Sequence, residues 1–358
     1  MSRIRRIRRK KPRTGSVWKK LLLWGVLGLL VLAAAAVAGS YLYVRAYLKS
    51  DGFLAMLEQS AVDDMNVETA RIDPLDWDGS GIRCGGVVME GHEFLTSLQA
   101  RNIETEFSRW ELLKRAFVIT SVNIAELKLH LAPVSFRFRE KPEGPRSWAE
   151  ENILPDTFRL EKGSIDSLSV SYGEAGRLYV LDGARVESAY DAGSSQYRFD
   201  VRGGKLLLPF QGCPEFSLMS GTAQFNHSSR RVNIPSCRLT TDAGGYLDIK
   251  GDWDGSSSSW TANVVVNGVP VSSILEDHWR KHVHGSVSGG IDLRGGRDGV
   301  THVAGLARLQ GGMLTGLPVL DRLALFCGSS RFRNLPLHEA SAQFVYQESA
   351  CLLYTSPS

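Results

Sequence analysis

The chain has no CxxC pair, no HExxH, no GxSxG elbow and no completed GxGxxG or Walker pattern. A cysteine-rich structural zinc site, a thioredoxin-like motif, a metalloprotease helix, a hydrolase nucleophile and a phosphate-binding loop therefore all lack sequence support. No acidic residue precedes Asp51. No exact 40-residue repeat occurs, which disfavours a propeller, and the residues after the first fifty lack long helical periodicities. Only one stretch, Leu21 to Val44, is both long and apolar.

That stretch follows ten Lys and Arg residues within the first twenty positions. Its 24 residues make a helix of roughly 36 Å, enough to cross a hydrocarbon core of about 30 Å with some tilt. The basic run, Arg3 to Lys20, predicts a cytoplasmic N-terminus, with Tyr41 and Tyr43 suited to the far interface. Residues 1–20 thus read as a basic cytoplasmic tail and 21–44 as a single transmembrane helix, with the remainder exported. The competing expectation is a signal peptide, cleaved after the small-x-small triplet Ala36-Val37-Ala38. Gly25, Gly28 and Gly39 form no GxxxG, so the segment carries no pairing motif.

The first fifty residues hold 12 of the 42 basic residues and none of the 38 acids, which leaves 30 basic against 38 acidic, formally −8, in the rest. The basic pI of about 8.8 therefore reports on the tail and does not indicate a nucleic-acid partner. The tail's predicted contact is anionic lipid.

Past the apolar run, Ser50 caps a predicted amphipathic helix reaching about Asp64, with Phe53, Leu54, Leu57 and Ala61 on one side. The pattern then changes to period two. Leu127, Leu129 and Leu131 alternate with polar residues, as do Leu168, Val170 and Tyr172, then Val264 and Val266, then Phe344 and Tyr346. Asp-Gly at 78, 182, 254 and 298, and Gly-Gly at 85, 203, 244, 289, 295 and 311, read as turns between short strands. A further helix is predicted over Val271 to Lys281. The fold class is mainly β: an extended antiparallel sheet with one apolar face. That face is either a sandwich core or the lining of an open groove, and periodicity does not separate the two.

The strings "ARIDPLDWDGSGIRCGGVVMEG" and "LQARNIETEFSRWELLKRAFVITSVNIAELKLHLAP", followed by "PVSSILEDHWRKHVHGSVSGGIDLRGG" and "VAGLARLQGGMLTGLPVLDRLALF", resemble the AsmA family of envelope proteins. The amino-terminal region of that family looks related to the chorein end of bridge-like lipid-transfer proteins. The matching features include a strand and turn over 67–81, a helical link over 109–114 and a closing strand pair over 118–131. On this reading residues 45–135 are the helix and first strands, 136–159 a Pro- and charge-rich connection, and 160–350 a truncated β-groove region. The resemblance implies an inner-membrane anchor, a periplasmic groove holding phospholipid, and a role in lipid transport or outer-membrane biogenesis. It implies no enzyme activity, cofactor or metal. The lipid-groove candidates are Leu127, Leu129, Leu131, Leu168, Val170, Tyr172, Val264, Val266, Phe344 and Tyr346. A different class of function, an anchored scaffold that binds envelope proteins without cargo, fits the same pattern. The last eight residues, Cys351 to Ser358, resemble translated adapter read-through, so the natural chain is expected to continue past about Ala350.

Three further features have ordinary structural explanations. His278 and His282 stand at i, i+4, with His284 nearby, which reads more simply as the exposed side of a helix than as a metal site. DWDGS at 76–80 and again at 252–256 imitates the start of a calcium loop, but position 87, twelve residues into the first copy, is Val. Both copies read as hairpin turns. Cys213 and Cys237 lie near the ends of neighbouring predicted strands, where a disulfide and two free thiols are both admissible.

Overall fold

The computed structural model describes residue 46 and residues 50–77, 81–91, 94–108, 116–133, 157–174, 176–209, 213–226, 228–275, 277–296, 299–347 and 350–357. The basic tail, the predicted membrane helix, the helical link at 109–114 and most of the 136–159 connection lie outside these residues. Among the described residues no helix is long and apolar enough to cross a membrane.

Helix α1 spans Asp51–Met65, and the Ser50 hydroxyl accepts the Phe53 N–H at 3.3 Å. Its end is set by Asn66, which takes the left-handed conformation at φ 52° and returns its N–H to Val62. The Glu58 carboxylate accepts the Ile72 N–H at 2.9 Å and ties the helix to the first strand. The strands are β1 Thr69–Ile72, β2 Leu75–Trp77, β3 Gly81–Glu90, β4 Leu95–Phe107, β5 Ala116–Leu131, β6 Thr157–Leu160, β7 Lys162–Glu174, β8 Arg177–Asp191, β9 Gln196–Arg202 and β10 Lys205–Leu207. They continue with β11 Phe216–Asn226, β12 Arg231–Thr241, β13 Tyr246–Asp254 and β14 Ser259–Pro270. Two single helical turns follow, α2 Val271–Ile274 and α3 Asp277–Arg280. The chain then forms β15 Val283–Gly296, β16 Gly299–Thr315, helix α4 Pro318–Phe326, a 3-10 turn Ser330–Arg333, β17 Asn334–Gln347 and β18 Ala350–Pro357.

All eighteen strands belong to one sheet. Three pairs are single strands interrupted by a residue that breaks the ladder. β1 and β2 both pair with β3 on either side of Asp73-Pro74, β6 and β7 both pair with β5 around Glu161, and β9 and β10 both pair with β8 and β11 around Gly203-Gly204. From β11 onward each strand pairs with the next in sequence, to β17 with β18. Residues of the expected artefact tail make up nearly all of β18, a pairing that any extended segment makes at an open sheet edge whatever its origin.

Four expectations need correction. The sheet is mixed, because β6 and β7 run parallel to β5, with Leu127 opposite Leu168 and Leu129 opposite Val170. A parallel pair needs a long crossover, and residues 132–156 between β5 and β6 supply the length. Residues 157–159, expected in the connection, are strand. Asp182-Gly183 lies inside β8 and not at a turn: Gly183 takes φ 71° beside a register shift, a bulge that only a residue tolerant of positive φ makes cheaply. Gly-Gly at 85, 289 and 311 likewise falls inside β3, β15 and β16. Finally, the helix expected over 271–281 is broken by the extended Leu275 (ψ 148°), so His278 and His282 share no helical face.

Other turns fall as expected: 244–245 joins β12 to β13, and 254–258 joins β13 to β14, while Asp298 lies outside the described residues. At the first of these Gly245 has φ 80°, and a Cβ there would stand 2.6 Å from the Gly268 carbonyl oxygen and from the Val269 Cα. Gly245→Ala is therefore expected to lower stability by at least about 2 kcal/mol, read as a lower urea midpoint. An unchanged midpoint would contradict this.

Candidate functional site

The pairing registers place one residue from each of fourteen strands in a row across the sheet. Beginning at Leu75 on β2, the row passes Cys84, Ile103, Ile124 and Ile165, then Val186 and Val201, then Gly221 and Cys237. It continues through Ile249, Val264, Ile291, Gly305 and Phe344. Every member is apolar or glycine. Thirteen inter-strand steps at ~4.8 Å make this row about 60 Å long. Gly305 is the seat of an aromatic ring, since a Cβ there would lie 2.5 Å from Phe344 Cζ.

Further rows flank this one. Leu127 and Leu168 continue Val87 and Ala100 toward Ala184. Leu129 and Val170 lie between Met89 and Leu98 on one side and Leu181, Leu206 and Phe216 on the other. Leu131 and Tyr172 lead to Tyr179. Val266 stands between Leu247 and Gly289, and Tyr346 beside Val303. Two residues separate the Ile103 row from the Ala100 row on each of β3, β4, β5 and β7, a step that shifts the alternation by one. On β4 the step is made by Arg101-Asn102, both exposed, with Asn102 left-handed at φ 50°. This turns the strand over, so Ala100 and Ile103 share a face although their parities differ. All ten predicted residues lie on this face, and the registers bring the six from β5 and β7 together as three in-register pairs.

Of the central row, sequence reasoning found only Val264 and Phe344. A single-phase reading of β5 selects Leu127, Leu129 and Leu131 and loses Ile124, and β4 and β7 repeat the problem with Ile103 and Ile165. The signal was present in two alternating runs offset by one residue.

The opposite face is charged. Cross-strand pairs on it include Arg83–Glu104 at 3.5 Å, Arg101–Glu126 at 3.3 Å, Arg238–Asp248 at 2.7 Å and Arg231–Asp254 at 3.0 Å. Amide-to-carboxylate bonds join Asn233 to Asp252 at 2.6 Å and Asn263 to Asp292 at 2.7 Å. Each exposed pair adds little stability, but together they assign this face to water. A cavity of about 500 Å³ lined by Gln224, Asn226, Asn233, Asp252 and Thr261 opens among these polar groups. It is on the face away from the predicted residues.

The apolar face is sheltered but not sealed. Among the described residues no large side chain is completely buried, and the packed core is one cluster, Phe216, Leu218 and Leu239. Leu206, Leu247 and Ile249 border it. A two-sheet sandwich of this size would bury many such residues. Cys213 and Cys237 border the same cluster as free thiols. Burial pushes both thiols, and that of Cys84, above their usual range, so none is an activated thiolate.

The hairpin at Asp254 is expected to be acid-sensitive. Its carboxylate accepts from the Ser256 hydroxyl, from the Ser256 N–H at 2.9 Å and from Arg231, which together lower its pKa to about 2. A depressed carboxylate pKa gives a contribution present above the ordinary value near 4 and lost as pH falls toward about 2. Amide exchange at the β13–β14 turn is expected to accelerate over that window. Asp254→Asn should abolish the pH dependence. Among the described residues no group of three metal-ligating side chains occurs; His278 and His282 stack edge-on at 6.0 Å, and His282 Nδ1 lies 2.8 Å from the Thr315 carbonyl oxygen.

Comparison with protein-family models, with curated proteins and with solved structures finds no match in any of the three.

Proposed function

We propose that the apolar face is a lipid-contact surface and that the chain is a membrane-anchored lipid-binding protein of the AsmA type, its sheet forming an open trough for acyl chains. The supporting observation is the unbroken apolar row, about 60 Å long at ~4.8 Å per strand, with no second sheet packed on it among the described residues. An acyl chain leaving a bilayer must keep each methylene from water at about 0.8 kcal/mol, and a continuous half-sheltered row does this without any chemistry. The row is about twice as long as a bilayer hydrocarbon core is thick, so it has room for more than one chain end to end. The left-handed Asn102 on β4 and the bulge at Gly183 on β8 interrupt the regular pleat, as curved sheets require. The Leu21–Val44 segment would hold one end of the trough at the inner membrane, with the body in the periplasm, in phospholipid transport or outer-membrane biogenesis.

Strand alternation supplies the test. A photo-crosslinking residue at Val264 in the full chain should capture phospholipid in cells, and the same residue at exposed Asn263, on the other face, should not. Equal capture at both positions, or capture of protein alone at Val264, would sink the proposal in favour of a scaffold.

A further inference from the structure

Helix α4 is apolar on two sides. Leu320 and Ala324, one turn apart, are buried. Val319, Leu323 and Phe326 recur at i, i+4 and i+7 on the other side, and Val319 is 67% and Phe326 91% exposed. Leu325 adds a further exposed side chain at 76%. Two apolar sides on one helix are ordinarily both buried, and here one is not. The 3-10 turn packs beside it and carries exposed Phe332, and Trp279 on α3 is exposed as well. The two segments are joined where the Thr315 N–H donates to the His282 carbonyl at 2.9 Å and the Thr315 hydroxyl to the Lys281 carbonyl at 3.3 Å.

The charge around this patch indicates what covers it. Residues 277–281 and 318–333 hold five Lys and Arg, namely Arg280, Lys281, Arg322, Arg331 and Arg333, against Asp277 and Asp321. Asp321 is already engaged by Arg333 at 3.7 Å. Exposed Trp and Phe interleaved with Arg and Lys on short helices suit the headgroup layer of an anionic bilayer, where the rings enter the interface and the cations meet phosphate. The pairings also place the patch at the same strand ends as α1. That end of the sheet passes from Thr69–Glu90 beside α1, through Leu131–Tyr172 and Phe216–Thr241, to Pro270–Ser286 and Thr315–Asn334. Among the described residues, the turns Asp191–Ser195, Ser228–Arg230 and Gly255–Ser258 at the opposite strand ends contain no large apolar residue.

We infer that α3, α4 and the 3-10 turn form a second membrane-contact surface, which seats on anionic phospholipid headgroups independently of the N-terminal segment. The inference does not depend on lipid carriage, since a scaffold without cargo would seat in the same way.

The test uses the full chain reconstituted in phosphatidylethanolamine vesicles with and without phosphatidylglycerol, bearing p-benzoylphenylalanine in place of Phe326 or Val319. Both positions project into solvent, so the replacement leaves packing intact. A third protein carries the crosslinker at Ser257, on the opposite strand ends. Phospholipid adducts at Phe326 and Val319 should exceed those at Ser257 by about fivefold or more. They should fall at least about fivefold, the effect of a single cation at an anionic surface, when phosphatidylglycerol is omitted or Arg322 is replaced by Glu. Adducts at the Ser257 level, adducts indifferent to phosphatidylglycerol, or covalent dimers and crosslinks to other proteins in their place would overturn the inference.

Discussion

Leu129→Asp and Val266→Asp should each reduce the phospholipid recovered with the full chain by roughly thirtyfold. The two residues lie far apart on the sheet, in rows that meet at the Phe216–Leu218–Leu239 cluster. A carboxylate in such a row removes the contact of two or three methylenes at about 0.8 kcal/mol each, about 2 kcal/mol in all, before any cost of desolvating its charge. Both side chains are half-exposed, so the substitution places the charge at an open surface and not in a sealed core. The fold should therefore survive, as far-UV circular dichroism would report. Gln99→Asp is the control: it lies on the charged face in register with Lys128 and should leave recovery unchanged. Folded Leu129→Asp and Val266→Asp proteins that retain the unmodified level of lipid would rule out a continuous lipid-bearing face.

Phe216→Ala is expected to cost about 3–5 kcal/mol in folding stability, the range for truncating a buried aromatic side chain. Phe216 is 4% exposed and packs with Leu218 and Leu239 in the one core cluster among the described residues. It is also a junction, paired with Leu206 on one side and Thr241 on the other, at the level where β10 interposes between β8 and β11. A sheet whose other apolar residues are mostly half-exposed has little burial elsewhere with which to offset the cavity. Val265→Ala, on the opposite face and 43% exposed, should stay within about 0.5 kcal/mol. Urea unfolding of the full chain in mild detergent, followed through its strand signal, measures both. A loss under 1 kcal/mol at Phe216 would mean that the cluster does not hold the sheet together.

Much of this face could be read from the residues alone. Period-two alternation identified Leu127 to Leu131, Leu168 to Tyr172, Val264 and Val266, and Phe344 and Tyr346, and all ten lie on one side of the sheet. Alternation failed where strands turn over: Ile103, Ile124 and Ile165 are out of phase with Ala100, Leu127 and Leu168, so a reading in one phase finds half of each strand. Gly-Gly and Asp-Gly pairs misled for a related reason. Positive φ serves a turn at Gly245 and a bulge within a strand at Gly183 equally well, and local sequence carries no mark of which partner strand lies opposite.

Composition, charge asymmetry and short-range periodicity settled the mainly β class, the cap of α1 at Ser50 and the separation of apolar from charged strand positions. These depend on each residue's own chemistry and on neighbours a few positions away. The parallel joining of β5 to β7, the alignment of fourteen residues into one row and the exposure of Val319 and Phe326 on α4 depend on contacts between segments tens to hundreds of residues apart. Pairing register is set by the sum of many weak cross-strand contacts, and no local pattern encodes that sum.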